Sequence, residues 1–150
     1  MTTANSTADT ESFSVAWDAF FGSIRRARGR FAREAGGGEL TLPQYQLVTS
    51  MGEMPQRPVG ELAEAAGIAP PTATRMLDGL ERAGIVRRNP SSEDRRVVTV
   101  QLTSKGRRVL ARKRKWVEER RRALYDSLTP VEREQAERLL HRLAGLMDEL

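Results

Sequence analysis

Residues 60–106 read GELAEAAGIAPPTATRMLDGLERAGIVRRNPSSEDRRVVTVQLTSKG, and two hydrophobic periods succeed each other within them. The first is helical. A short helix from about Val59 to Ala66 turns Leu62, Ala63 and Ala66 to one side. Gly67 breaks it and Ile68 plugs the turn. A second helix starts at Pro70, carries Ala73, Leu77 and Leu80 on one face with Met76 beside them, and ends at Ala83, with Gly84 as its cap. The second period is that of a strand. Ile85-Val86 opens a short one, Arg87 to Arg96 is polar with Pro90, Ser91 and Ser92 as turn residues, and Val98, Val100 and Leu102 alternate with Val97, Thr99 and Gln101. Two helices across a tight turn, followed at once by a hairpin with a long charged tip, form a winged helix-turn-helix.

Outward from this stretch the chain is helical. Thr103 caps a long helix over about 104–128, and Thr129-Pro130-Val131-Glu132 is a capping box with proline at the first helical position. The helix it starts repeats Leu139, Leu143, Leu146 and Leu150. Upstream, Pro43 with Thr41 as cap opens a helix whose apolar face is Tyr45, Leu47, Val48 and Met51, stopped by Pro55 and Pro58. Before it, Phe13, Trp17, Phe20, Ile24, Ala27 and Phe31 are spaced 4, 3, 4, 3, 4, a helical seam with Phe21 beside it that needs a partner surface. Gly36-Gly37-Gly38 ends that helix. It is no phosphate loop, because no Gly-Lys-Ser/Thr follows. The expected fold is mainly α, an α+β winged helix-turn-helix of six helices and a two-stranded β-wing. The expected organisation is a disordered tail at 1–12, an N-terminal helix region at 13–40, the winged helix-turn-helix region at 41–103 and the C-terminal helices at 104–150.

Composition narrows the chemistry. The 150 residues make one domain's worth of chain. The absence of cysteine removes disulfides, thiol nucleophiles and thiolate metal sites, and a single histidine disfavours a zinc site or a Ser-His-Asp triad. That histidine, His141, lies beside the last leucine seam and reads as a packing or surface residue. No metal, cofactor or enzymatic activity is expected. No stretch approaches the ~20 apolar residues that span a bilayer. The start, MTTANSTADTES, has neither basic residues nor an apolar run, so a cytoplasmic protein without a secretory signal is expected. The net charge of +5 is unevenly spread: residues 61–115 hold 13 basic and 6 acidic side chains, whereas the segments on either side are neutral or acidic. A local excess of that kind concentrates polyanions at one surface. It includes a run of seven basic residues from Lys105 to Lys115, whose first turns are placed to touch phosphates and whose distal part is expected to face solvent.

The helix from Pro70 supplies a reader. At about 100° per residue the face opposite Leu77 carries Pro71, Arg75, Asp78 and Arg82, flanked by Thr72 and Thr74. Arginine bonds bidentately to guanine in the major groove, and threonine suits phosphate oxygens or the thymine methyl. The competing reading is a solvent-facing helix with an Asp78–Arg82 ion pair. At the hairpin tip, Arg95 and Arg96 fit a narrow minor groove, and Asp94, two residues before Arg96, serves to hold that arginine extended. The competing reading there is an ordinary charged turn.

These pieces together resemble the multiple antibiotic resistance regulator (MarR) family. The resemblance rests on the ELA start, the TRMLDGLERAGIV helix and exit, the D-x-R pair Asp94 and Arg96, and LTSKG after it, covering residues 60–106. The order of the flanking helices is similar over nearly the whole chain. The resemblance implies a homodimer held by the N-terminal and the last two helices, a recognition helix in the major groove and Arg96 in the minor groove. It implies a repressor released from DNA by a small aromatic or phenolic ligand. Pro70-Pro71 stands where the family more often has small hydroxyl residues, and the missing cysteine argues against the thiol-oxidising branch.

The expected DNA-binding set is therefore Pro70, Pro71, Thr72, Thr74, Arg75, Arg82, Asp94, Arg95 and Arg96, on a pseudo-palindromic duplex. Trp17, Phe20, Phe21 and Tyr45 are the candidates for lining an effector pocket, the competing reading being plain core and interface. Two other functions stand beside the repressor: an architectural DNA-binding protein without effector or operator, and an unrecognised enzyme, for which no convergent nucleophile, base or metal cluster is visible.

Overall fold

The computed structural model describes residues 3–33, 40–52, 57–91 and 97–149. The chain forms two compact units, Met1–Lys113 and Arg114–Leu150. In the first, the order is α1 (Thr3–Arg33), α2 (Leu42–Ser50), β1 (Arg57–Pro58), α3 (Val59–Ala65), α4 (Pro70–Arg82), β2 (Val86–Pro90), β3 (Val98–Leu102) and the start of α5 (Ser104–Ser127). The second holds the rest of α5 and α6 (Pro130–Asp148).

The core of the first unit is built from the faces that periodicity selects. Leu47, Val48 and Met51 of α2, Leu62 and Ala63 of α3, and Ala73, Leu77 and Leu80 of α4 are buried with Leu40, Ile85, Val86, Val100, Val109 and Leu110. Each fully buried Leu or Val side chain stabilises the fold by roughly 1.5–3 kcal/mol relative to exposure. Both helices of the helix-turn-helix end in the same device. Gly67 and Gly84 have φ of +61° and +70°, the left-handed region in which a β-carbon is disfavoured. After α3, Gly67 N–H reaches the Glu64 carbonyl and Ile68 N–H the Ala63 carbonyl; after α4, Gly84 and Ile85 reach Glu81 and Leu80 in the same way. Ile85 then drops into the core and starts the wing.

The wing departs from the expected two strands. Its sheet has three, in the order β1-β3-β2, all antiparallel, with Val86 opposite Leu102, Pro90 opposite Val98 and Arg57 opposite Val100. β1 is too short to show any alternation and contains Pro58, so nothing in its composition marks it as strand. β2 continues through Arg87 to Pro90, because a polar segment on the outer strand of a sheet still satisfies its backbone on β3. Val98, expected inward, is exposed, whereas Thr99 is buried with its hydroxyl donated to the Asn89 carbonyl at 3.2 Å.

α1 also exceeds expectation. It begins at Thr3, so residues 3–12 are helical rather than a disordered tail. No glycine or proline interrupts residues 3–21, and the hydroxyls of Ser12 and Ser14 fold back onto the carbonyls of Asp9 and Thr10. At its other end, Phe31 packs its ring 5.5 Å from that of Tyr45. The Lys113 ammonium lies over the Phe31 ring, 4.0 Å from its centroid, and donates to the Phe31 carbonyl. Lys113 is thus buried, against the expectation that the distal part of its basic run faces solvent. Gly36–Gly38 and Pro55 lie outside the described residues.

In the second unit Thr129 and Glu132 form the expected capping box: Thr129 N–H donates to the Glu132 carboxylate at 2.8 Å and Glu132 N–H to the Thr129 hydroxyl at 3.4 Å. The Thr129 N–H, and the Thr129 hydroxyl donating to the same carboxylate at 2.8 Å, hold the Glu132 carboxyl below the usual glutamate range. Arg133 closes the turn, donating to the Tyr125 carbonyl at 2.9 Å with its guanidinium over the Tyr125 ring. Of the α6 seam, Leu139 and Leu146 are exposed and Leu143 is half-buried; Leu140, Leu124, Tyr125 and Val131 are exposed as well. Leu150 lies outside the described residues.

Candidate nucleic-acid interface

α4 separates cleanly into two faces. Ala73, Leu77 and Leu80 are buried, while Pro70, Pro71, Thr72, Thr74, Arg75 and Arg82 are exposed. The helix starts without a side-chain cap, since Ala69 offers only its carbonyl, taken up by the Thr72 and Ala73 N–H groups at 2.9 and 3.0 Å. Pro70 and Pro71 lack N–H groups, so two of the four donors a helix start leaves unsatisfied are simply absent. The polar side chains exposed at this end are those of Thr72, Thr74 and Arg75.

Asp78 does not pair with Arg82. It meets Arg88 of β2, whose guanidinium lies 2.7 Å from an Asp78 carboxylate oxygen and 2.7 Å from a Glu81 carboxylate oxygen. The same group donates to the Thr74 carbonyl at 3.3 Å, and the Arg88 backbone N–H donates to Glu81 at 3.1 Å. Burial pulls the guanidinium down, but the hydrogen bonds and charges of Asp78 and Glu81 outweigh it, and its pKa ends above the ordinary arginine value. Arg88 is the residue sequence reading missed. Its carboxylate partners lie seven and ten positions upstream, across the α4–β2 turn, and only the fold brings them within reach.

The end of α4 is held from another side by the LTSKG segment. The Thr103 hydroxyl donates to the Gly84 carbonyl at 2.6 Å and accepts from Gly106 N–H at 2.9 Å, capping α5 while gripping the turn. Lys105 donates to the Ala83 carbonyl at 2.9 Å, placing a cation at the negative end of the α4 dipole. Arg107 donates to the Leu102 carbonyl at 3.0 Å. The first turns of the basic run thus bind carbonyls of the wing and of α4.

At the far end of the wing, Ser91 N–H donates to the Val97 carbonyl at 2.8 Å and prolongs the ladder past both strands. Asp94, Arg95 and Arg96 lie outside the described residues. Of the effector-pocket candidates, Trp17 and Phe21 have ring centroids 4.6 Å apart and Phe20 meets Phe21 edge-on at 5.5 Å, while Tyr45 joins Phe31 instead. Among the described residues no group of three His, Cys, Asp or Glu is placed to hold a metal, and no helix is long and apolar enough to cross a membrane.

A helix-turn-helix whose second helix turns a basic, hydroxyl-bearing face outward and is followed by an antiparallel wing defines a winged-helix protein. The MarR family profile matches residues 40–98. The homoprotocatechuate degradative operon repressor of Escherichia coli is 30% identical over 107 residues, covering 71% of this chain and 72% of its own. The transcriptional repressor MprA of Escherichia coli is 33% identical over 94 residues, 60% of this chain and 51% of its own; the chain spans about half the length of several curated relatives it matches. Among solved structures, FabT of Streptococcus pneumoniae in complex with DNA superposes with a TM-score of 0.81 at 19% identity, covering 93% of this chain and 98% of its own. The repressor CouR bound to a 23-mer DNA duplex gives 0.66 at 32% identity, covering 83% and 89%. The chain belongs to the MarR family of transcriptional regulators.

Proposed function

We propose that the protein is a homodimeric, sequence-specific DNA-binding repressor released by a small aromatic or phenolic ligand. The observation that carries the reading is the two-faced α4: its apolar side is fully buried, and Thr72, Thr74, Arg75 and Arg82 are left exposed on the other. Pro70 and Pro71 bring the helix start close to the sugar-phosphate backbone, Arg75 and Arg82 read or flank the major groove, and Arg95 and Arg96, steadied by Asp94, reach the minor groove. The DNA-bound structures of FabT and CouR support a duplex as partner. Exposed Phe13, Val15 and Phe20 on α1, and Leu124, Leu139, Leu140 and Leu146 in the second unit, support a second copy of this chain as their cover. The relative named for the homoprotocatechuate degradative operon supports a phenolic effector, with Trp17, Phe20, Phe21 and Tyr45 as the residues to meet it.

Selection of bound duplexes from a random pool, with and without a panel of phenolic acids, tests this. The expected product is an inverted repeat with half-sites about one helical turn apart, roughly 34–36 Å. Binding in the range of about 10⁻⁸ to 10⁻¹¹ M, falling steeply with salt, is expected for the selected site. Arg75→Ala and Arg96→Ala should each weaken it without unfolding the chain. Enrichment of no sequence, or a single subunit in light scattering, contradicts the reading.

A further inference from the structure

Asp78 sits three residues after Arg75 and four before Arg82, so either arginine is within reach of it along the helix surface. It pairs with neither. Its carboxylate, and that of Glu81, converge on Arg88 from the neighbouring strand at 2.7 Å each. Among the described residues, Arg75 and Arg82 make no ion pair, and both remain exposed. One guanidinium thus absorbs both negative charges of α4. It also reaches the Thr74 carbonyl, and its own backbone N–H is held by Glu81, so α4 and β2 are joined by four hydrogen bonds across the turn. The pair is partly open to solvent, with 47% and 40% of the Asp78 and Glu81 side chains exposed. Freed from Arg88, these carboxylates would be left to pair with the reading arginines or to repel a bound phosphate.

We propose that Arg88 is a positioning residue for DNA recognition: by holding Asp78 and Glu81 against β2 it fixes the recognition helix relative to the wing and keeps both carboxylates off the reading arginines. The proposal rests on the DNA-binding reading above. Arg88 acts through its two partners and not by touching DNA. Its loss is consequently harmful only while the carboxylates are present, and that dependence distinguishes positioning from a direct phosphate contact.

The test compares the full chain with R88M, which keeps the apolar stem, R88K, and the triple variant R88M/D78N/E81Q. Each is titrated with the duplex selected from the random pool and with a random duplex of equal length, over a salt series, with circular-dichroism melts alongside. R88M should bind the selected duplex about tenfold or more weakly at low salt, as expected when one partner of a charge cluster is removed. R88K, a point charge that satisfies one carboxylate at a time, should recover part of the loss. The triple variant should recover most of it. R88M binding like the parent, or a triple variant as weak as R88M, overturns the proposal; the second result, with a shallower salt dependence, marks a phosphate contact instead. Should R88M melt below the assay temperature, R88K decides together with R88K/D78N/E81Q: R88K should bind the selected duplex more weakly than the parent and the triple variant should regain most of that loss, and a parent-like R88K or a triple variant as weak as R88K overturns the proposal. A parent chain that binds neither duplex refutes the DNA reading itself, and the proposal with it.

Discussion

Gly106, in the first turn of α5, passes so close to Ile85 that a β-carbon on it would lie 2.0 Å from the Ile85 carbonyl oxygen and 3.0 Å from a Leu102 methyl carbon. The same carbonyl accepts the Thr103 N–H at 3.0 Å, so it cannot retreat without giving up that hydrogen bond. The glycine is required by this approach and not by its torsions, which are helical. Gly106→Ala should destabilise the chain by about 3 kcal/mol, the upper part of the range for overpacking, because the obstacle is backbone. A urea midpoint equal to the parent's would contradict this.

Thr103 joins two functions in one hydroxyl, accepting from Gly106 N–H and donating to the Gly84 carbonyl. Thr103→Val keeps the shape and removes both. A loss of about 1–2 kcal/mol is expected, the usual cost of a lost N-cap. Thr103→Ser should retain most of the stability in the same denaturation series.

The two faces of α4 should respond independently. Leu77→Ala opens a cavity in the core and should cost about 2–5 kcal/mol. Arg75→Ala, on the exposed face, should change stability by less than about 0.5 kcal/mol yet weaken duplex binding. Paired melting and anisotropy measurements on both variants check the separation, and a large melting shift for Arg75→Ala would place that side chain in the structure rather than at the interface.

How far such features were visible in the sequence depends on whether their partners are local. The caps at Thr41, Gly84 and Thr129 are read correctly because donor and acceptor lie within a few residues. The buried face of α4 is legible because helical period alone selects Ala73, Leu77 and Leu80. Arg88 is not, since its polar run looks like turn and its carboxylate partners become neighbours only through the fold. β1 escapes because two residues cannot display a period, and Lys113 because a basic run gives no sign that one member is folded under an aromatic ring.

Glu132 gives a pH signature. Its carboxyl is held low by the Thr129 N–H and hydroxyl, so its ionised form is favoured in the folded chain. The stabilisation is fully present above the ordinary glutamate range and is lost as pH falls through the depressed folded value. Glu132→Gln lacks that titration. The difference in urea midpoint between the parent and this variant should be constant near neutrality and shrink on acidification below the usual glutamate range; a gap independent of pH would remove the capping box as its source.

The ladder past the wing's end has one last implication. Ser91 bonded to Val97 fixes the alternation of β2, so the amide positions of Arg88 and Pro90 point away from β3. The first is taken by Glu81, and the second has no hydrogen to offer. The outer margin of the ribbon is therefore a poor template for a foreign strand, which guards a crowded population of these chains against sticking wing to wing and growing into fibres.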